Sequence, residues 1–153
     1  MAIKITFLGA GSSVFVRNVL GDCIIHPELE DLTFALYDID AQRLEDSYLM
    51  LHAICAHYGK SVKMEKYVGV EELPQALTGA NFLICAIQVG GYDPCTISDF
   101  EIPKKYGLRQ TIADTLGVGG VFRALRTIPV MEMFGKMAEK YCPNAVFLNY
   151  SNP

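Results

Sequence analysis

The chain has 153 residues, of which 51% are hydrophobic and 20% charged, and its formal net charge at pH 7 is -4. An acidic chain lacks the clustered Lys and Arg of nucleic-acid-binding proteins, so no nucleic acid is expected among its partners. No apolar run approaches the roughly 18 residues of a membrane helix, and no signal-peptide pattern precedes the first apolar segment. We therefore expect a cytoplasmic protein with no membrane partner.

The apolar residues alternate along the chain between strand-like runs and helix-like spacing. Short apolar runs predict strands at residues 3–8, 32–37, 62–67, 82–87 and 145–149. Helices are predicted from Ser12 or Ser13 to about Gly21, and at 41–58, 71–77 and 121–141. Gly21 is expected to end or bend the first helix, Gly59 to cap the second and Pro129 to kink the last.

Strands that alternate with helices predict a doubly wound α/β fold with a parallel sheet of the Rossmann type. The continuously apolar run at 82–87 predicts a central strand, because a parallel strand is covered on both faces. Residues 90–115 are polar and irregular, and so long a loop in a compact protein is usually functional. We expect one domain over residues 1–153, as a fragment of a longer protein.

A glycine-rich turn joins the first predicted strand to the first predicted helix. Gly9 and Gly11 let the backbone turn tightly and approach a pyrophosphate at the helix N-terminus, where Ser12 and Ser13 are natural first residues. Val14 stands where the G-x-G-x-x-G pattern has its third glycine, so the match is partial and a looser contact between helix and strand is expected. The turn predicts NAD binding, with an ordinary glycine turn as the alternative.

Two further segments are candidates for the same cofactor. Asp38 ends the second predicted strand, where a carboxylate accepts hydrogen bonds from the adenosine ribose and repels a 2′-phosphate, which favours NAD over NADP. Asp40 is a weaker candidate that also suits the cap of the next helix. Gln88 and Val89 follow the central strand, where the backbone passes the cofactor in this fold. A solvated carboxylate at Asp38 and a plain flexible turn after Val89 are the alternatives.

Polar residues near the end of the chain are candidates for a substrate. Asp114 opens a second glycine-rich loop, whose helix N-terminus suits an anion or a hydroxyl, although helix capping by Asp114 or Thr115 explains the loop equally well. Asn149 ends the last predicted strand, and an amide both donates to and accepts from a sugar hydroxyl or a carboxamide. A turn motif is the alternative there, because Asn-Pro is a strong turn signal.

Cysteine and histidine give no sign of a metal site or a disulfide framework. The five cysteines are odd in number and contain no C-x-x-C pair, and the three histidines form no H-x-x-x-H pair. Free thiols are therefore expected, and no metal ligand is assigned in this chain.

Six segments in order along the chain resemble the glycoside hydrolases of family 4. They are FLGAGS at 7–12, YDID at 37–40, GGY at 90–92, IPKKYGL at 102–108, ALRTIP at 124–129 and NYSNP at 149–153. The stretch QTIADTLG at 110–117 is similar to the α-galactosidase branch in particular. Because the resemblance covers essentially the whole chain, it is far more specific than any single glycine motif.

The resemblance implies a glycosidase that keeps NAD bound and oxidises the C3 hydroxyl of the sugar, an exception to the two-carboxylate mechanism. It also implies a divalent metal, usually Mn²⁺, that polarises the C3 carbonyl while a base removes the C2 proton. In the family the metal ligands and the base lie beyond the NYSNP segment, so no catalytic residue is expected in this chain. Asn149, and less securely Asp114, carry over as substrate contacts, and the full-length enzyme is expected to form a homo-oligomer.

The resemblance also bears on the kind of sugar. Family members that act on 6-phosphorylated sugars carry an arginine in the loop after the fourth strand, whereas residues 90–101 contain three carboxylates and no Lys or Arg. A phosphate that leaves water needs a cation or a nest of donors, so an unphosphorylated α-galactoside is expected.

Two other functions remain open from the sequence. A dehydrogenase of the lactate or malate type shares the sheet, the glycine turn and an Asn-Pro near the nicotinamide, but it needs arginines after the fourth strand to clamp a carboxylate. A non-catalytic NAD-sensing module would bind the cofactor without turnover.

Overall fold

A computed structural model describes residues 3–111 and 115–151. Its sheet has five parallel strands in the order β3-β2-β1-β4-β5. The strands are β1 Ile3–Leu8, β2 Leu32–Asp38, β3 Lys63–Val68, β4 Phe82–Cys85 and β5 Val146–Asn149. The helices are α1 Ser13–Ile25, α2 Ala41–Tyr58, α3 Leu73–Leu77, α4 Ile97–Lys105 and α5 Gly117–Tyr141, with a 3₁₀ turn at Val70–Glu72 and a π-helical turn at Gly91–Thr96. The predicted parallel α/β fold is confirmed.

The chain divides into two compact units. The first, here called the sheet unit, comprises residues 1–87 and 137–150. The second, here called the helical unit, comprises residues 88–136 and 151–153. The single domain expected from the sequence stays a prediction.

The sheet unit is covered on both faces, as its apolar strands require. On one face, α1 and α2 pack against the sheet in a cluster that includes Phe7 and Phe34, both fully buried. On the other, α3 covers the sheet, and the buried Thr6 hydroxyl donates to the carbonyl of Ala76 at 2.8 Å. The alternation of faces along β1 thus places helices on both sides of the sheet.

Parallel pairing brings the carboxyl ends of the central strands to one edge of the sheet. Leu8 at the end of β1 is in register with Tyr37 of β2 and with Cys85 of β4. Cys85 in turn is in register with Asn149 at the end of β5. Ligands of doubly wound sheets bind outside this edge, so the register defines where a site is to be sought in the sheet unit.

The two outer strands of the sheet differ in polarity. The strand β3 carries Lys63 and Lys66, whose ammonium groups pair with Glu65 and Glu45 respectively. The strand β5 presents Val146 and Leu148, which are 50% and 39% exposed. One outer strand is therefore charged and the other apolar.

The helix α1 is longer than the sequence predicts. It continues through Gly21 to Ile25, so the expectation that Gly21 ends the helix is wrong. Gly21 is buried, and a Cβ built on it would lie 3.7 Å from Cδ1 of Ile54 in α2. The close approach of two packed helices outweighs the weak helix propensity of glycine. In α2, by contrast, Gly59 caps the helix as predicted, with a φ of 61°.

The predicted irregular loop at 90–115 is wrong for its first half. The chain instead forms the π-helical turn and α4, in which Asp99 is completely buried. The sequence hides this helix because Asp99 and Pro103, the two buried residues of α4, are not the apolar types that mark a helix face. The next helix, α5, starts at Gly117 and not near Val121.

None of the helices within residues 3–111 and 115–151 combines the length and the apolar character needed to cross a membrane.

The left-handed glycine at the end of α2 allows a prediction about stability, and a glycine inside α5 serves as its control. Replacing Gly59 by Ala is expected to lower the free energy of unfolding by about 1 kcal/mol, because a Cβ is strained at positive φ. Nothing lies within 4 Å of that Cβ, so the effect would come from the backbone alone. Gly135→Ala is the control: this exposed glycine in the interior of α5 also has open space, and Ala there should raise the free energy by roughly 0.5–1 kcal/mol. Urea unfolding measures both, and shifts of the same sign would contradict the argument.

Candidate functional site

The glycine turn between β1 and α1 is packed against the ends of two neighbouring strands. The N–H groups of Gly9 and Ala10 both donate to the carbonyl of Tyr37, at 3.0 and 2.9 Å. Gly9 has a φ of 90°, and a Cβ on it would lie 2.8 Å from the carbonyl oxygen of Ala86. Only glycine fits this position, so the first glycine of the motif is required by the turn itself.

Asp38 holds the same turn from the end of β2. Its Oδ2 accepts a 2.6 Å hydrogen bond from the N–H of Gly11, and its Oδ1 accepts one of 3.0 Å from Asp40 N–H. A Cβ on Gly11 would lie 2.8 Å from that same Oδ2, so the second glycine is what lets the carboxylate approach. Burial, and then the charge of Asp38, raise the pKa of Tyr37. Each carboxylate oxygen keeps a lone pair for a further donor.

The N-terminus of α1 faces solvent. Ser12 is its N-cap residue, but the Ser12 side chain makes no capping hydrogen bond, and Ser13 is exposed. The N–H of Ser13 donates to the carbonyl of Gly11 at 3.1 Å, and the N-terminus of this 13-residue helix, which has no capping side chain, suits an anion. Val14 is 61% exposed, so it does not loosen a contact between helix and strand as expected. That contact is made by Val16, which is fully buried.

The side chain of Asp40 already has a structural role. Its Oδ1 accepts from the N–H groups of Gln42 and Arg43, at 3.0 and 3.1 Å, and so caps α2. Such a bond explains an aspartate at this place without a ligand. A cofactor contact by Asp40 stays a prediction.

Asn149 lies at the carboxyl edge of the sheet unit. It is the last residue of β5 and is exposed, and the next residue, Tyr150, donates its N–H to the carbonyl of Cys85 at 2.7 Å. The ring of Tyr150 meets that of Phe15, in the first turn of α1, edge to face at 5.4 Å. The residue that follows Asn149 thus contacts the first turn of α1. Asp114, the other predicted substrate contact, lies outside the described residues.

The other residues predicted to contact NAD, Gln88 and Val89, lie in the helical unit. Gln88 donates its side-chain amide to Thr96 Oγ1 at 3.2 Å, and Val89 leads into Gly90, which has a φ of 88°. A Cβ on Gly90 would lie 2.4 Å from Cys95 Sγ, so this turn also requires glycine.

Two polar features of the helical unit escape sequence reasoning. Gln110 accepts the N–H of Gly119 at 3.0 Å and so satisfies a first-turn donor of α5. Arg126 makes two hydrogen bonds to the buried carboxylate of Asp99, at 2.9 and 2.5 Å. No pattern at short sequence spacing predicts either contact. The bond between Gln110 and Gly119 joins residues 9 positions apart, and the ion pair joins residues 27 positions apart.

All five cysteines are free thiols, as expected. Within residues 3–111 and 115–151, no group of three or more His, Cys, Asp or Glu side chains is arranged to hold a metal ion.

Comparison with known proteins identifies the family. The sequence profile of the family described as "Family 4 glycosyl hydrolase" matches residues 4–153. The chain belongs to family 4. An α-galactosidase of Bacillus subtilis strain 168 is 56% identical over 150 residues, which are 98% of this chain and 34% of that enzyme. An α-galacturonidase of Thermoanaerobacter italicus is 36% identical over 99% of this chain and 31% of its own length. This family 4 chain thus spans about a third of the curated relatives that it matches.

Solved structures agree on the fold. A 6-phospho-α-glucosidase from gut microorganisms, in complex with NAD and glucose-6-phosphate, superposes with a TM-score of 0.86 at 26% identity, over all of this chain and 34% of its own. A lactate dehydrogenase from Eimeria maxima, with NADH and oxamate, gives 0.64 at 16% identity, over 97% of this chain and 36% of its own, which shows a shared fold alone. The resemblance to family 4 in the sequence is therefore confirmed, and the likeness to dehydrogenases is one of architecture.

Proposed function

We propose that this chain is the NAD-binding N-terminal part of a longer family 4 enzyme that hydrolyses α-galactosides. The observation that carries the proposal is the 56% identity to an α-galactosidase over 98% of the chain. We further propose that the full-length enzyme works in the cytoplasm, where cysteines such as these stay reduced, and that it forms a homo-oligomer.

The residues of the sheet unit fit NAD. The exposed first turn of α1 suits the pyrophosphate, since its N–H groups have no capping side chain at Ser12. Asp38 suits the adenosine ribose, since its two oxygens are fixed by backbone N–H groups and still accept further donors. NAD, when bound, supplies a hydride acceptor for a sugar hydroxyl. Asp38 and α1 would bind and orient the cofactor without taking part in proton transfer.

Asn149 is the residue proposed to hold the sugar. It is exposed at the carboxyl edge of the sheet, where ligands of doubly wound folds bind, and the next residue, Tyr150, contacts the first turn of α1. Its amide both donates to and accepts from a ring hydroxyl. Asp114 remains a proposed second contact on the strength of the resemblance alone.

The charges of residues 90–101 favour a neutral sugar, although two of the three carboxylates are paired with cations. Of the three carboxylates, Asp99 is neutralised by Arg126 and Glu101 pairs with Lys104 at 3.4 Å, so Asp93 alone stays unpaired among the described residues. The repulsion of a phosphate is therefore weaker than three charges suggest. The loop still offers no free cation to replace the hydration of a phosphate.

No group of the described residues fits a Mn²⁺ ion. We propose that its ligands, like the catalytic base, lie downstream of residue 153.

The proposed chemistry is tested by hydrolysis of an α-galactoside in D₂O with the full-length enzyme. We expect the released galactose to carry deuterium at C2, because elimination after oxidation at C3 removes that hydrogen. Removal of NAD and of divalent metal should abolish activity. Hydrolysis that survives both removals and leaves the C2 hydrogen in place would contradict this mechanism.

The cofactor preference is tested at Asp38. The full-length enzyme should bind NAD more tightly than NADP, and Asp38→Asn should shift the ratio of the two Kd values toward NADP by about tenfold, because the negative charge that faces a 2′-phosphate is lost. Asparagine keeps one oxygen that accepts from Gly11 N–H, but its NH₂ group cannot accept from Asp40 N–H, so a control that disturbs the start of α2 is needed. Calorimetry gives both Kd values.

The matched control for that experiment is Asp40→Ala. It removes the cap of α2 and should lower the free energy of unfolding by about 1 kcal/mol, yet it should leave the NAD to NADP ratio unchanged. Wild-type protein that binds NADP as tightly as NAD would exclude Asp38 from the site. An equal shift in the control would instead point to Asp40, the weaker of the two predicted ribose contacts.

The substrate is tested by comparing kcat/KM for three α-galactosides: neutral, 6-phosphorylated and galacturonic. We expect the neutral sugar to be preferred. A galacturonoside is the second candidate, since an α-galacturonidase is 36% identical and an open pocket of the helical unit, about 340 Å³ in volume, has Arg109 in its lining beside the paired Glu101 and Lys104. Preference for either anionic sugar would show that residues 90–101 do not decide specificity.

A further inference from the structure

An aromatic contact joins the first turn of α1 to the residue that follows β5. Phe15 is the third residue of α1, and its ring meets that of Tyr150 edge to face, with 5.4 Å between the ring centroids. Such pairs are favourable because the positive edge of one ring lies against the negative face of the other. Both residues belong to the sheet unit, and both are partly exposed, Phe15 at 36% and Tyr150 at 50%. The contact therefore lies at the surface of this unit.

The sheet fixes the backbone from which the Tyr150 ring projects. The N–H of Tyr150 donates to the carbonyl of Cys85 at 2.7 Å, and Cys85 is in register with Asn149. The pairing of β5 with β4 thus continues one residue beyond the end of β5. Because the main chain of Tyr150 is held in this way, its ring supports the neighbouring helix from the sheet itself.

The start of α1 is held from two sides of β1. On the side of β2, Asp38 Oδ2 accepts from the N–H of Gly11 at 2.6 Å. On the side of β4 and β5, Phe15 meets Tyr150. No side chain caps the N-terminus of the helix. The aromatic contact therefore supports a turn that has no side-chain cap of its own.

We propose that Tyr150 is a positioning residue, which acts through the ring of Phe15 and holds the first turn of α1 in the orientation that receives the pyrophosphate of the cofactor. This inference rests on the proposed NAD site, in which that turn binds the pyrophosphate. A hydrogen bond weakens steeply as the angle at its N–H departs from a straight line, so a small rotation of the turn costs affinity for the pyrophosphate. The adenosine ribose, which Asp38 is proposed to hold from the other side of β1, does not depend on that rotation.

The test compares two ligands that differ in the pyrophosphate alone. ADP consists of adenosine and a pyrophosphate group, so the ratio of the Kd values for ADP and adenosine isolates what the first turn of α1 contributes. ADP is titrated into the full-length protein by calorimetry and adenosine by ligand-observed NMR, and thermal unfolding is recorded alongside. Tyr150→Leu and Phe15→Leu each remove one ring of the pair, and a double variant removes both. Tyr150→Phe keeps the ring and removes only the hydroxyl.

With Tyr150→Leu, and equally with Phe15→Leu, we expect the Kd for ADP to rise by about threefold to tenfold, because one aromatic contact is lost. The Kd for adenosine should stay within about twofold of wild type, because the ribose contact is intact. The double variant should lose no more ADP affinity than either single variant, since both changes remove the same contact. Tyr150→Phe should match wild type for both ligands. A loss in Tyr150→Phe equal to that in Tyr150→Leu would mean that the hydroxyl matters and the ring does not, and it would overturn the inference.

Tyr58→Leu is the matched control. Tyr58 is 55% exposed and its ring meets that of His57 edge to face at 4.8 Å, but it ends α2 shortly before β3 begins, away from the carboxyl edge of the sheet. It should leave both Kd values unchanged, and a rise in the Kd for ADP equal to that of Tyr150→Leu would contradict the inference. A purely structural role of Tyr150 would lower the unfolding temperature of Tyr150→Leu and leave the ratio of the two Kd values at its wild-type value, which also overturns it.

If Tyr150→Leu does not fold, Phe15→Leu decides, and a wild-type ratio in a folded Phe15→Leu variant overturns the inference while the proposed function stands. Wild-type protein that binds neither ADP nor NAD would be a failure of the proposed function, and the inference would fall with it.

Discussion

The hydrogen bond from Gly11 N–H to Asp38 Oδ2 is the contact on which the candidate site depends. It joins the turn after β1 to the end of β2, and it is possible only because Gly11 has no Cβ. The same carboxylate receives Asp40 N–H, which leads directly into the cap of α2. One side chain therefore joins the turns that precede two helices, and each of its oxygens can still accept a further hydrogen bond.

Much of the sheet unit is predictable from the sequence because its signals are local. The apolar run before Gly9 and the spacing in Ala41–Tyr58 each report burial of one element, and the structure confirms both. The position of Asp38 at a strand end is equally local. Its bond to Gly11 is not, because it spans 27 residues and depends on parallel pairing of β1 with β2.

The helical unit is harder to predict for a physical reason. The helix α4 buries a carboxylate whose desolvation is offset by Arg126, and that partner lies on another helix. Sequence reasoning counts Asp99 as a solvated charge in a loop, and so it misjudges both the secondary structure and the electrostatics. Gln110 poses the same difficulty, since a polar side chain that satisfies Gly119 N–H resembles any loop residue.

The two outer strands of the sheet differ in how readily another strand could pair with them, because β3 is charged and β5 is apolar. Charged side chains on β3 discourage a second molecule from adding a strand there, since Lys63 and Lys66 would lose their water and their partners. The apolar Val146 and Leu148 on β5 give no such protection. Within this chain, a further strand or another apolar surface laid against β5 would therefore remove apolar area from water, whereas the same contact at β3 would have to desolvate charges.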